Sequence, residues 1–107
     1  MLFEKKEIDM TAANIFWKWF STNEALLLDA CKASDENQAL LLDAGELISA
    51  VFPYYRKELD FTFTFESGLN KFNIYHKNNK YLEKDTKALF DCAPLSIKSR
   101  WNFDAKV

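Results

Sequence analysis

The sequence predicts an α+β fold, a two-layer sandwich in which about four helices cover one face of a three-stranded sheet, in the order α-α-α-β-β-α-β. Two segments that alternate apolar and polar residues, 59–66 and 71–77, flank Ser67 and Gly68 and predict a β-hairpin. A third alternating segment closes the chain at 100–106. Because each strand has one apolar face, the helices are expected on that side of the sheet.

Apolar residues at helical spacing predict the four helices. They cover 11–20, 23–32, 39–52 and 81–92. Thr11 is placed to cap the first helix, and Ser21 or Thr22 can cap the second. Pro53 ends the third helix and Pro94 stops the fourth, since proline lacks the backbone N–H that a helix interior needs.

The alternation assigns each hairpin side chain to one face of the sheet. The apolar face holds Leu59, Phe61, Phe63, Phe65, Phe72, Ile74 and His76. The polar face holds Asp60, Thr62, Thr64, Glu66, Lys71, Asn73, Tyr75 and Lys77. In the closing strand, Trp101 and Phe103 alternate with Arg100 and Asn102. The pattern leaves the order of the strands in the sheet open.

Length and composition indicate the number of domains and the cellular compartment in which the protein is expected. With 107 residues, of which 49% are apolar, the chain is long enough for one domain with its own core. We expect a charged lead-in at 1–10 and a single domain at 11–107. No apolar run nears the ~20 residues that span a bilayer, and the first ten residues lack the apolar core of a secretory signal. Cys31 and Cys92 fall in helical apolar patterns, so reduced thiols and a cytoplasmic location are expected.

The charge balance narrows the class of partner. The net charge is −2, the isoelectric point is about 5.4, and the 14 basic residues are scattered along the chain. Binding to a nucleic-acid backbone needs a concentrated basic face, so the sequence argues against it. We expect another protein as the partner, and an acidic chain favours a basic one by electrostatic steering.

The sequence offers no constellation of catalytic or metal-binding residues. It has one histidine and two distant cysteines, whereas a tetrahedral metal site needs a cluster of such ligands. Gly45 and Gly68 cannot form a phosphate-binding loop, and we expect no cofactor. His76 lies on the apolar face of the second strand, which favours a core-edge histidine over a catalytic base.

A protein-binding surface is the remaining candidate site. Tyr75, Arg100 and Asn102 point to the polar side of the sheet, and Trp17 falls at the edge of the apolar arc of its helix. Trp, Tyr and Arg are the residues most enriched at binding hot spots. We therefore predict that these four residues contribute to a partner contact, with Trp17 partly exposed. The alternative is a polar face that is merely solvated.

Several of these motifs together resemble those of a group of small proteins. The chain has Phe16-Trp17-x-Trp19-Phe20, the hairpin, Leu89-Phe90-x-x-Ala93-Pro94 and Trp101-x-Phe103. Over residues 11–105 it resembles a group of small, uncharacterised bacterial α+β proteins that share these features. The resemblance implies a bacterial cytosolic α+β domain and brings no catalytic residues. In being small, acidic and without catalytic groups, the chain also resembles toxin-neutralising immunity proteins.

Two functions follow as hypotheses. The first is a non-catalytic protein-binding domain, such as an immunity or inhibitor protein that neutralises a basic toxin. The alternative is a small enzyme or ligand-binding domain with a pocket between helices and sheet near His76.

Overall fold

The computed structural model describes residues 8–33, 38–53 and 59–107. Within these ranges the chain forms α1 (Met10–Ala33), α2 (Gln38–Val51), β1 (Asp60–Glu66), β2 (Leu69–Tyr75), α3 (Lys80–Asp91), α4 (Leu95–Lys98) and β3 (Asn102–Lys106). These helices and the three-stranded mixed sheet confirm the predicted α+β class. None of the described helices is both long and apolar enough to cross a membrane. Of the predicted lead-in, residues 1–7 lie outside the described ranges.

The sheet has the strand order β1-β2-β3, with β2 in the centre. β1 and β2 are antiparallel and joined by a two-residue loop, in which Ser67 and Gly68 have φ angles of 53° and 77°. Two consecutive positive φ values define the tight hairpin turn whose twist matches the strands. β3 runs parallel to β2, and α3 and α4 make the crossover that a parallel pair requires.

The first two predicted helices are one continuous helix, so the predicted break near Ser21 and Thr22 is wrong. The hydroxyl of Thr22 donates to the carbonyl of Lys18 at 3.0 Å, one turn earlier in the same helix. Asn23 bonds the carbonyl of Trp19 in the same way. These polar residues therefore support the helix interior instead of capping a new helix. The N-terminal cap is Asp9, two residues before the predicted Thr11, since a carboxylate oxygen of Asp9 accepts from the N–H of Ala12 at 3.0 Å.

The core is an aromatic layer between the helices and one face of the sheet. Phe16 and Phe20 of α1 contact Phe72 of β2 at ring-centroid distances of 5.7 and 5.9 Å. Phe90 of α3 stacks on Phe103 of β3 at 5.0 Å. α1 and α3 thus pack on the same side of the sheet, as the alternation predicts.

Burial confirms the predicted register of the strands. Phe72 and Ile74 of the central strand are fully buried. Phe65 is the exception on the apolar face, 42% exposed at the hairpin end of β1. On the polar face the exception is Asn73, only 1% exposed. Both exceptions reflect position, because β1 is an edge strand whereas β2 has a neighbour on each side.

The crossover is built around a capped helix. The side-chain oxygen of Asn79 accepts from the backbone N–H groups of Tyr81 and Leu82, which satisfies two donors at the start of α3. The short helix α4 was not predicted, and it buries one apolar side chain, Ile97. Cys31 and Cys92 are unpaired and partly buried, and burial raises the pKa of the Cys31 thiol.

Candidate functional site

Where all three strands pair, their outward side chains form a grid of three rows. The strand registers align Thr64, Lys71 and Asn102 in the first row, Thr62, Asn73 and Asp104 in the second, and Asp60, Tyr75 and Lys106 in the third. We call these nine residues the polar sheet face. Eight of the nine keep part of their surface in solvent, and Asn73 is the exception. Two aspartates and two lysines balance within these nine residues, and Glu66 at the hairpin end of the same side of the sheet adds one negative charge.

A hydrogen-bond network fixes the centre of this face. The side-chain amide of Asn73 donates to the hydroxyl of Thr62 at 3.0 Å and to that of Thr64 at 3.2 Å. The phenol oxygen of Tyr75 lies 3.4 Å from the Thr62 hydroxyl. The network connects β1 to β2, and the Tyr75 hydroxyl lies at its margin.

Asn73 also carries an acceptor that has no partner among the described residues. Its Oδ1 is buried and makes no hydrogen bond within the described residues. An unsatisfied buried acceptor costs on the order of 1 to 3 kcal/mol. A hydrogen-bond donor that reached this side-chain carbonyl would therefore bind favourably. The alternation of apolar and polar residues predicted that Asn73 lies on this face. Its burial follows from the central position of β2 in the sheet, and the sequence pattern did not predict the order of the strands.

Two of the four predicted contact residues lie on the polar sheet face. Tyr75 is half-buried in the third row, and Asn102 is exposed in the first. They are four residues apart along the strand direction, which corresponds to about 13 Å. Asn102 also lines a groove of about 370 Å³ between α3, α4 and β3, to which Phe90 and Lys98 contribute. Tyr75 and Asn102 can therefore contact one partner together.

Arg100, the third predicted residue, is held by α1. Its Nε and Nη2 each donate to a carboxylate oxygen of Glu24 at 2.7 Å. The indole N–H of Trp101 donates to the same carboxylate at 3.0 Å. The hydrogen bond from Arg100 lowers the pKa of the Glu24 carboxyl below its ordinary value. Burial raises this pKa, and the hydrogen bond from Trp101 lowers it further, so the net shift is downward. The guanidinium therefore connects α1 to the segment that leads into β3. Arg100 and Glu24 are 76 residues apart, so the local sequence pattern did not predict this contact.

Trp17, the fourth residue, is in the core, so the predicted exposure is wrong. It is 3% exposed, and its indole N–H donates to the carbonyl of Leu89 in α3 at 3.0 Å. Its ring lies 5.4 Å from that of Phe103. The margin of the α1 arc is buried because α3 packs beside α1, a neighbour that the helical pattern of α1 alone does not reveal.

His76 lies apart from the described grooves. Its backbone N–H donates to the carbonyl of Lys106 at 2.7 Å, while its buried Nδ1 has no hydrogen-bond partner among the described residues. It lines neither the groove beside β3 nor the groove between α2 and β1. Within the described ranges, His, Cys, Asp and Glu side chains form no group of three or more that could hold a metal ion.

Comparisons with protein-family models, curated proteins and solved structures find no match to this chain.

Proposed function

We propose that this chain is a non-catalytic protein-binding domain that contacts its partner through the polar sheet face. One observation carries the proposal: the Tyr75 hydroxyl lies 3.4 Å from that of Thr62 on a face of the sheet where eight of nine side chains remain partly in solvent. Tyrosine offers a large contact area and a hydrogen-bonding hydroxyl, and it is enriched at binding hot spots.

The hydrogen-bond network supports this role by lowering the entropy cost of binding. Ordering a side chain at an interface costs about 0.5 to 1.5 kcal/mol. Because Asn73 already fixes the hydroxyls of Thr62 and Thr64, part of that ordering precedes binding. With Glu66 counted, this side of the sheet carries one net negative charge, so its specificity depends on hydrogen bonds and shape more than on charge.

The charge of the whole chain favours a basic partner. A net charge of −2 attracts a basic protein and accelerates the encounter, as rim charges do in other complexes. An inhibitor or immunity protein that blocks a basic toxin needs a binding surface of this kind and no catalytic group. This is the class of function that we propose.

Matched surface variants test the proposal. The partner is captured from the source cell with the wild-type chain and purified, and its affinity is then measured by calorimetry. Tyr75→Ala is expected to weaken binding by about 30-fold, corresponding to roughly 2 kcal/mol at a hot spot, and Asn102→Ala by less. Lys84→Ala is the control, because Lys84 is exposed on α3, away from the polar sheet face.

Thermal unfolding of each variant separates binding from folding. All three variants are expected to unfold at the wild-type temperature within a few degrees. Wild-type affinity in a folded Tyr75→Ala/Asn102→Ala double variant would place the contact elsewhere. An equal loss in Lys84→Ala would also contradict the proposal.

A further inference from the structure

A second hydrogen-bond acceptor lies beside the unpartnered oxygen of Asn73. The strand register places Asp104 of β3 opposite Asn73 of the central strand, and both side chains belong to the polar sheet face. Neighbouring strands lie about 4.8 Å apart, so the two side chains are adjacent. Asp104 keeps part of its surface in solvent. Its carboxylate makes no hydrogen bond or ion pair with the residues that the structure describes.

The side-chain amide of Asn73 is oriented by β1. Its nitrogen donates to the hydroxyls of Thr62 and Thr64, which both belong to that strand. The nitrogen and the oxygen of an amide lie on different sides of one carbon, so Oδ1 points away from these hydroxyls. β3 with Asp104 is on the side of β2 opposite to β1. The buried carbonyl and the carboxylate are therefore two neighbouring acceptors that share no donor within the described ranges.

The two lysines of the polar sheet face do not supply this donor. Lys71 is in the first row and Lys106 in the third, each one row from Asp104, and neither forms an ion pair with it. Water hydrates an exposed carboxylate, whereas Oδ1 of Asn73 is closed off from solvent. A donor reaches Oδ1 when a flanking side chain shifts. Lys71 and Tyr75 flank Asn73 on the same face of β2, and both are partly exposed, which leaves them room to move.

Two neighbouring acceptors beside an aromatic ring suit a guanidinium group. Arginine carries five N–H donors in a planar fork, so it bonds two acceptors at once. The same plane stacks on aromatic faces, and Tyr75 follows Asn73 by two residues on the same face of β2. The ammonium group of lysine is a compact, strongly hydrated point charge and has no such plane. The arrangement therefore favours arginine over lysine.

We infer that the partner protein inserts an arginine side chain between Asn73 and Asp104. The guanidinium donates to Oδ1 of Asn73 and to the carboxylate of Asp104, and it lies against the ring of Tyr75. The inference rests on the proposed function and names the side chain that the polar sheet face selects. A net charge of −2 attracts any basic protein, whereas two neighbouring acceptors select one kind of cation.

Small cations test the site without the partner. The full, isotope-labelled chain is titrated with methylguanidinium, methylammonium and tetramethylammonium at equal ionic strength, and NMR follows the side-chain amide signals of Asn73. The first two cations carry the donors of arginine and lysine, and tetramethylammonium has the charge without a donor. Methylguanidinium is expected to shift the Asn73 signals at least about threefold further than either other cation, because only its planar fork bonds both acceptors. An equal shift with either other cation would overturn the inference.

Variants of the chain locate the binding. Asp104→Asn keeps the shape of the side chain and removes its charge, so the shift caused by methylguanidinium should fall at least about threefold. Asp29→Asn is the matched control, because Asp29 is exposed on α1 and the charge of the whole chain changes equally. Circular dichroism verifies folding, and the three cations on the wild-type chain decide if Asp104→Asn is unfolded. A full shift in folded Asp104→Asn, or an equal loss in Asp29→Asn, would overturn the inference.

Binding of the purified partner separates this inference from the proposed function. Asp104→Asn should weaken the affinity about tenfold, as expected for the loss of a charge-assisted hydrogen bond. If Tyr75→Ala weakens binding and Asp104→Asn does not, the proposed function stands and the arginine contact is wrong. If the partner binds equally well to wild type, Tyr75→Ala and Asn102→Ala while methylguanidinium still selects Asn73, the proposed function is wrong and the guanidinium site stands.

Discussion

At the scale of single residues, Trp17 and Glu24 each make side-chain hydrogen bonds to distant parts of the chain. Trp17 joins α1 to α3 through its bond to Leu89, and Glu24 joins α1 to the segment before β3 through Arg100 and Trp101. Both contacts connect residues more than 70 positions apart. They are therefore structural, and each makes a prediction about stability.

Trp17→Phe is expected to lower the free energy of unfolding by about 1 to 2 kcal/mol, because the buried carbonyl of Leu89 loses its side-chain donor. Denaturant titration measures the change. Trp19→Phe is the matched control, since Trp19 is only partly buried and stacks on Phe16 at 6.0 Å. An equal or larger loss in the control would show that the Trp17 hydrogen bond contributes little.

Because the pKa of Glu24 is lowered in the folded state, the free energy of unfolding is expected to depend on pH. Its folded-state pKa is below the ordinary value, chiefly because of the hydrogen bond from Arg100, so the pair stabilises the fold at pH values above the unfolded-state pKa. That contribution is lost as the pH falls through the folded-state pKa. Glu24→Gln should therefore unfold at a lower temperature than wild type at pH 7, and the difference in unfolding temperature should shrink as the pH falls below the ordinary glutamate pKa of about 4.3. A constant difference between pH 7 and pH 3 would contradict this account.

At the scale of elements, the two glycines have opposite roles. Gly45→Ala should raise the free energy of unfolding by about 0.5 to 1 kcal/mol, because alanine favours a helix interior and its Cβ fits beside Phe61. Gly68→Ala should lower it, because Gly68 has a φ of +77° in the hairpin turn. Each variant serves as the control for the other in a thermal melt. If both substitutions changed the free energy of unfolding in the same direction, the role given to one of these two glycines would be wrong.

The elements also show how far the sequence could be interpreted. The alternation in β1 and β2 predicted the fold class and the faces correctly, because period two is a local property of a strand. The break in α1 was wrong because Ser21 and Thr22 can either cap a helix or bond back to its carbonyls, and only the tertiary fold selects between them. Trp17 was misplaced for a similar reason: its exposure depends on α3.

At the scale of the whole molecule, the helices cover one face of the sheet and leave the other with eight of its nine residues partly in solvent. The central claim is that this polar sheet face binds the partner protein. Site-specific photo-crosslinking in the source cell tests it most directly. A benzophenone side chain is introduced in place of Asn102 in one variant and in place of Lys84 in another. The account predicts an adduct between the chain and one partner from position 102 and none from position 84. Adducts from position 84 alone would contradict it.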